Sequence, residues 1–195
     1  GATRIDSKPA RDGRLAELAE LAERRLAAWQ RQSAGAGKAN LADSWAAVES
    51  LRELGRLPEA RRIASESLEL SRQLRAALGD TPQTLRDLSV SLDNVGGVSG
   101  ELGDLEAARA AYAESLELSR QLRTALGDTP QAAQDLAVSL TLYATVLAKQ
   151  GDASAAREAL RAARALAQDW NERRPAARQA QQLLAWIDAA LAAIG

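Results

Sequence analysis

A segment of 17 residues occurs twice in this chain, at positions 48 residues apart. Residues 67–83 read SLELSRQLRAALGDTPQ, and residues 115–131 repeat this sequence except that Thr124 replaces Ala76. The same spacing relates three glycines, Gly55, Gly103 and Gly151. Agreement this close does not arise by chance, and a period between about 20 and 50 residues is typical of proteins built from stacked repeats. The sequence therefore predicts a repeat array.

Each period contains two predicted helices. Apolar residues between positions 57 and 78 recur with the spacing of one helix face. Gly79 suits the left-handed position just after a helix end, Thr81 can cap the next helix, and Pro82 fits its first turn. Residues 127–130 repeat this signal. At the other turn of each period, a glycine is followed by Asp104 or Asp152, which we expect to cap the following helix.

The pattern predicts an all-α chain of eight helices, joined by turns so short that consecutive helices run antiparallel. The expected bounds include 11–32, 39–54, 57–78, 82–102 and 153–172, with a last helix that ends at Ile194. We expect a single repeat domain over residues 11–195 after an N-terminal tail at 1–10. Its repeats are expected at about 41–88, 89–136 and 137–180, with partial repeats at both ends.

Composition excludes several kinds of site. The chain has no Cys and no His, which excludes disulfides, thiolate or imidazole metal sites and Ser-His-Asp triads. With 25 basic and 26 acidic residues the net charge is −1, whereas nucleic-acid binders usually carry a basic excess. No apolar run is long enough to span a membrane. We therefore expect no enzyme activity, no cofactor and no metal, and a cytoplasmic protein. The excess of Arg over Lys suggests a bacterial source.

Bulky and small residues follow one another at fixed spacings within each repeat. The middle repeat gives Leu92, Val95, Gly96, Ser99, Gly103, Ala108 and Tyr112. The third gives Leu140, Tyr143, Ala144, Leu147, Gly151, Ala156 and Leu160, and a degenerate first repeat gives Ser44, Ala47, Val48, Leu51, Gly55, Ala60 and Ala64. The last helix supplies Leu184, Ile187 and Leu191 but has Asp188 at the small position. This pattern resembles the tetratricopeptide repeat family.

The resemblance implies a right-handed α-solenoid whose concave face binds a peptide or protein. The period of 48 exceeds the usual period of about 34, and the longer helices resemble the branch that includes kinesin light chains. The sequence also resembles repeats in large bacterial regulatory proteins. We therefore expect a protein-interaction scaffold that forms part of such a protein.

In this array, the first helix of each pair would line the concave face. Helix periodicity then selects ten candidate partner-binding residues: Trp45, Glu49, Arg86, Asp93, Asn94, Gly97, Glu101, Thr141, Thr145 and Lys149. The alternative to a partner-binding surface is an ordinary solvent-exposed helix face without a binding function. A second function is self-assembly as a homodimer through the terminal helices, where Trp186 could anchor a second copy.

Other signals favour structural roles. The arginines Arg72, Arg75, Arg120 and Arg123 could bind an acidic partner, but pairing of Arg72 with Glu69 and of Arg120 with Glu117 on one helix is the better interpretation. The recurring Asp80, Asp128 and Asp152 are interpreted as helix caps rather than as metal or acid–base groups. The stretch from Gly35 to Lys38 lacks the residues of a phosphate-binding loop.

Overall fold

The computed structural model describes residues 8–33, 41–173 and 178–194, which contain helices and no strands. The helices are α1 (Lys8–Ser33), α2 (Leu41–Glu53), α3 (Leu57–Leu78), α4 (Pro82–Glu101), α5 (Leu105–Leu126), α6 (Pro130–Lys149), α7 (Ala153–Arg173) and α8 (Arg178–Ile194). The predicted all-α class is confirmed. The bounds of α3 match the prediction, whereas α1 begins earlier than predicted. The stretch from Gly35 to Lys38 lies outside the described residues.

The chain divides into two compact units, Gly1–Ser67 and Leu68–Gly195. In the first unit, α1 packs against α2. Trp29 of α1 is almost fully buried, and its indole Nε1 donates a hydrogen bond to Glu66 Oε2 at 3.2 Å. This contact joins α1 to the first half of α3. The prediction of a single domain over residues 11–195 stays a prediction.

In the second unit, each helix from α4 to α8 packs against the next one along the chain. Leu88 and Leu92 of α4 pack with Leu122 of α5, and Leu160 of α7 packs with Ile187 of α8. Helix α6 also contacts both α4 and α8. Helix α6 therefore lies beside both α4 and α8, so the exposed stripes of these three helices lie on adjacent helices.

One kind of turn recurs at every 48th residue. Gly55, Gly103 and Gly151 all have positive φ, between 71° and 88°. At Gly151, the amide of the glycine donates to Ala148 and the next amide donates to the Leu147 carbonyl, each at 3.0 Å. These bonds satisfy carbonyls that the helix end leaves free. The carboxylate of Asp152 then accepts from the Ala155 amide at 3.1 Å, so the predicted cap is confirmed.

A second kind of turn joins α3 to α4 and α5 to α6. Gly79 and Gly127 have positive φ, and the hydroxyls of Thr81 and Thr129 accept from backbone amides of the next helix, as predicted. Asp80 and Asp128 do not cap these helices; the prediction that they do is wrong. Asp80 instead accepts from Arg75 Nε at 2.7 Å, and Asp128 accepts from Arg123 Nη2 at 2.6 Å. The threonine at the next position already satisfies the amide, which leaves each aspartate free to pair with the preceding helix.

Buried serines cross-link the helices of the second unit. Ser71 of α3 shares a hydrogen bond of 2.7 Å with Ser91 of α4, and the pair 48 residues later, Ser119 of α5 and Ser139 of α6, shares one of 2.8 Å. Ser89 of α4 adds a bond of 2.9 Å to Ser115. Because each hydroxyl needs a partner in the core, these bonds fix how the helices are placed along one another.

Candidate partner-binding site

The candidates of the first unit lie on one face of α2. Trp45 is half-buried, and Glu49, one turn later, is exposed. The carboxylate of Glu49 accepts from Arg52 Nη1 at 3.2 Å. An aromatic ring one helical turn from a carboxylate forms a surface that a partner can contact. This surface is made only of residues of the first unit.

The remaining candidates lie on α4 and α6 of the second unit. Glu101, Thr145 and Lys149 are exposed, and Arg86, Asp93 and Asn94 are half-buried. The accessible stripe of α6 runs through positions 138, 142, 145 and 149, which are spaced as one helix face. The structure therefore brings six candidates onto the outer stripes of two neighbouring helices.

Two candidates are buried, and their predicted placement on an accessible face is wrong. Thr141 is completely buried, and its hydroxyl donates to the Ala137 carbonyl of its own helix at 2.8 Å. Gly97 is also buried. On α6 the accessible stripe passes through Leu142, one residue further than Thr141, because a step of one residue turns the side chain by about 100°.

Two accessible polar side chains are held by their own helices. Thr145 donates from Oγ1 to the Thr141 carbonyl at 2.9 Å, and Asn94 donates from Nδ2 to the Val90 carbonyl at 3.0 Å. Bonds of this kind fix a rotamer in advance, which lowers the entropy lost when a partner binds. Val90 on α4 and Val138 and Leu142 on α6 are half-buried apolar side chains on the same helices. The surface is therefore mixed, with apolar spots among oriented polar groups.

An ion pair that sequence reasoning missed joins α4 to α6. Both Nε and Nη2 of Arg86 lie 3.1 Å from Asp135 Oδ2, and the two side chains are only 30% and 19% exposed. The other oxygen, Oδ1, accepts from Gln131 Nε2 at 2.8 Å. A signal for Asp135 was present, because Gln131 and Asp135 repeat Gln83 and Asp87, which form the same bond at 2.7 Å.

Asp93 is the one candidate with an unusual electrostatic environment. Its carboxylate oxygen Oδ1 is buried and accepts no hydrogen bond from the residues that the structure describes. Burial raises the pKa of Asp93 to about 7; the Ser115 hydroxyl lowers it and the negative charge of Asp135 raises it further. Near neutral pH this carboxyl therefore exchanges between its neutral and charged forms.

Helix α8 contributes an exposed aromatic side chain. Trp186 is 40% exposed, and its neighbours Ala185 and Ala189 are exposed as well. Asp188 on the same helix pairs with Arg164 Nε at 2.6 Å. When Leu184 is aligned with Leu140, Trp186 takes the position of Leu142 on α6. The accessible stripe of α6 therefore has an aromatic counterpart on the adjacent helix α8.

Two shallow surface depressions lie elsewhere in the second unit. One of 470 Å³ is lined by Arg120, Arg123, Asp128 and Leu136, and one of 270 Å³ by Gln131, Gln134, Trp170 and Gln179. The arginines of the first are largely engaged: Arg123 pairs with Asp128, and Arg120 lies 3.6 Å from Glu117 as predicted. The predicted pairing of Arg72 with Glu69 is wrong, because Arg72 reaches across to Glu114 of α5 at 3.3 Å. A free basic ladder is therefore not formed.

Within the described ranges, no group of three or more His, Cys, Asp or Glu side chains could hold a metal ion. None of the helices in those ranges is long and apolar enough to cross a membrane. No protein-family model matches the chain, and no curated protein matches it. The resemblance to tetratricopeptide repeats therefore rests on the spacing of bulky and small residues and stays a prediction.

Proposed function

We propose that this chain is a protein-interaction scaffold of the tetratricopeptide type, a right-handed solenoid that binds a peptide or protein on its concave face. The proposal includes a place within a larger bacterial regulatory protein of the cytoplasm, and no chemistry of its own. A groove of this kind would use the exposed stripes of α4 and α6, with Asn94, Glu101, Thr145 and Lys149 as contacts. Trp45 and Glu49 would add a second patch.

The observation that carries the proposal is the contrast between repeated packing and unrepeated surface. Turns, caps and buried serine pairs recur after 48 residues, as Ser71–Ser91 and Ser119–Ser139 show. Several accessible positions of α4 and α6 do not recur: Asn94 corresponds to Leu142, and Glu101 corresponds to Lys149. A scaffold that keeps its packing while its surface changes from repeat to repeat suits recognition of an extended partner, whose successive residues differ.

Display of a random peptide library tests this proposal, with Thr145→Arg as the disrupting variant. Thr124 offers a matched control, because it is also an exposed helical threonine whose hydroxyl donates to a carbonyl four residues earlier, at 3.1 Å. We expect wild type and Thr124→Arg to bind the selected peptides equally, and Thr145→Arg to bind them at least about tenfold more weakly. Equal binding by all three proteins would show that this face is not the site.

Exposure of Trp186 among alanines favours a second candidate function, self-assembly through α8. Large exposed aromatic side chains are frequent anchors of protein interfaces. Light scattering over a range of protein concentrations distinguishes the two functions. A mass that doubles with concentration, and returns to the monomer value in Trp186→Ala, supports self-assembly. A constant monomer mass excludes it.

A further inference from the structure

Arg86, Asp93 and Asp135 form a group of charged side chains on α4 and α6. Arg86 pairs with Asp135, and the negative charge of Asp135 acts on the carboxyl group of Asp93. Arg86 places two nitrogens on one oxygen of Asp135, and Gln131 donates to the other oxygen. Asp135 is therefore fully provided with donors. Asp93 lies on the same face of α4 as Arg86, and the negative charge of Asp135 acts on it. Unlike Asp135, Asp93 does not have a hydrogen-bond donor for each of its oxygens. The group holds one positive charge and two potential negative charges.

The unsatisfied atom in this group is Asp93 Oδ1, which is buried and accepts no hydrogen bond from any described residue. A buried polar atom without a partner is rare and requires an explanation, since burying it costs free energy. A metal ion does not provide one, because the described residues form no metal-binding cluster here. The equivalent position in the next repeat is Thr141, whose hydroxyl is satisfied by its own helix. Of these two equivalent positions, only the one on α4 therefore has a buried oxygen that accepts no hydrogen bond from a described residue.

We propose that Asp93 receives the cationic side chain of a lysine or arginine from the protein partner, with Asp135 supplying a second negative charge. This inference rests on the proposed function and specifies the chemistry of the partner. Charge complementarity selects the ligand: one added cation balances the two carboxylates against Arg86. Oδ1 is buried in the free protein, so the carboxyl group of the half-buried Asp93 must rotate to bring this oxygen to the accessible side of α4. A nitrogen of the lysine or arginine then donates the hydrogen bond that the oxygen lacks.

Cation binding at this position exchanges with a proton. Because the pKa of Asp93 is about 7, part of the free protein carries the neutral acid at neutral pH. The groups that act on this carboxyl are Asp135 from α6, which is charged, and Ser115 from α5, which is a neutral donor. A bound cation favours the carboxylate, so binding releases the proton and the affinity rises as pH increases through about 7.

Carbon-13 NMR of the aspartate carboxyl groups tests the site without knowledge of the natural partner. The probe is n-butylammonium chloride, which imitates a lysine side chain, and the controls are sodium chloride and tetramethylammonium chloride at equal ionic strength. We expect butylammonium to lower the pKa of Asp93 relative to both controls, since only it combines a positive charge with N–H donors. An Asp93 titration that is the same in all three salts overturns the proposal.

The peptide library separates failure of this inference from failure of the proposed function. We expect the selected peptides to share a lysine or arginine, and Asp93→Asn to bind them at least about tenfold more weakly while its melting temperature is not lowered. If Asp93→Asn binds as wild type does while Thr145→Arg does not, the groove stands and the cation site is wrong. If Thr145→Arg also binds normally, the groove itself is wrong.

Discussion

Helices α4 and α5 form one repeat, and α6 and α7 form the next, so the two halves of the second unit are a comparison that the chain itself provides. Both halves begin at a capping threonine, Thr81 or Thr129, and both contain the positive-φ glycine turn of Gly103 or Gly151. The shared parts are the signals that fix where helices begin and end. The two halves therefore share the start of their first helix and the glycine turn that follows it, and they differ in the residues between these signals and in the end of the second helix, which is Leu126 before Gly127 in α5 and Arg173 in α7.

The two repeats differ in their packing at two places. At the first, two substitutions compensate for each other; at the second, a buried polar group lowers stability. Gly96 of α4 lies against the Tyr112 ring, whereas the corresponding pair in the next repeat is Ala144 and Leu160. In the first pair a large ring takes the space that a methyl group takes in the second. Asp93 has no such compensation, because its carboxylate oxygen lacks a partner. A polar group kept at a cost to stability is a stronger indication of function than one that packs well.

Replacing Asp93 with Thr, the residue of the next repeat, is expected to have the largest effect. The pKa of Asp93 in the folded protein, about 7, lies above the ordinary value of 3.8 for an aspartate, so the folded protein holds the proton more tightly than the unfolded chain. Stability is therefore lost as pH rises from about 4 to about 7 and stays low above that range. We expect Asp93→Thr to stabilise the protein by roughly 4 kcal/mol at about pH 8. Urea unfolding monitored by circular dichroism measures the difference.

The same series at low pH is the control for that prediction. Below about pH 4, Asp93 is neutral in both states, so its ionisation no longer distinguishes the variant from wild type. Asp93→Asn should follow the same pH profile, because it also removes the charge. A gain for Asp93→Thr that does not change between about pH 4 and pH 8 would mean that packing, and not the carboxylate, separates the two repeats.

The second prediction concerns Gly96 and the Tyr112 ring that lies against it. In Gly96→Ala the new Cβ would lie 2.6 Å from Tyr112 Cε1, which is closer than real carbon contacts allow. We expect a loss of about 2 kcal/mol, because overpacking outweighs the better helix propensity of alanine. The double variant Gly96→Ala/Tyr112→Leu, which reproduces Ala144 and Leu160, should recover part of this loss in a thermodynamic cycle.

Gly100→Ala is the matched control for Gly96→Ala, because both substitutions add one methyl group to α4. At Gly100 the nearest atom to the added Cβ would be Ala108 Cβ at 3.8 Å, an ordinary contact. The substitution should stabilise the protein by up to about 1 kcal/mol, the usual gain for glycine to alanine in a helix. Equal effects at both positions would show that the Tyr112 ring moves aside without cost.

Sequence alone predicted the helices well because their ends carry local signals. Glycine, threonine and proline at fixed spacing determine a turn whatever the helices pack against, and α3 was predicted with its observed bounds. Asp80 was misinterpreted because an aspartate beside a helix start is a plausible cap, and only the ion pair with Arg75 reveals its role. Thr141 was predicted to be accessible, but the accessible stripe of α6 passes through the next residue, Leu142. The ion pair of Asp135 with Arg86 was not predicted, because these two residues are 49 positions apart in the sequence and lie on different helices.

The buried serine pairs provide a prediction of smaller size. Ser91→Ala leaves the Ser71 hydroxyl in the core without its bond of 2.7 Å, and Ser139→Ala does the same to Ser119. Each substitution is expected to cost about 1 kcal/mol, because one short buried hydrogen bond is lost while Ser71 keeps a long contact with the Asp87 carbonyl and Ser119 keeps one with Ser89, both at 3.5 Å. Replacing both members, as in Ser71→Ala/Ser91→Ala, should cost less than the single change. Chemical denaturation of the four proteins tests whether the two repeats respond alike.

The exposed ion pairs that end α3 and α5 should give the smallest effect. The Arg75 guanidinium holds the pKa of Asp80 below its usual value, so the pair contributes only above the unfolded pKa and is lost as pH falls through the folded one. Because the aspartate is exposed, water and salt screen the interaction. Asp80→Asn and Asp128→Asn should therefore lower the melting temperature only slightly and equally, and less in high salt. A large change in either variant would mean that this aspartate caps a helix after all, which would make the two turns unequal despite their shared sequence.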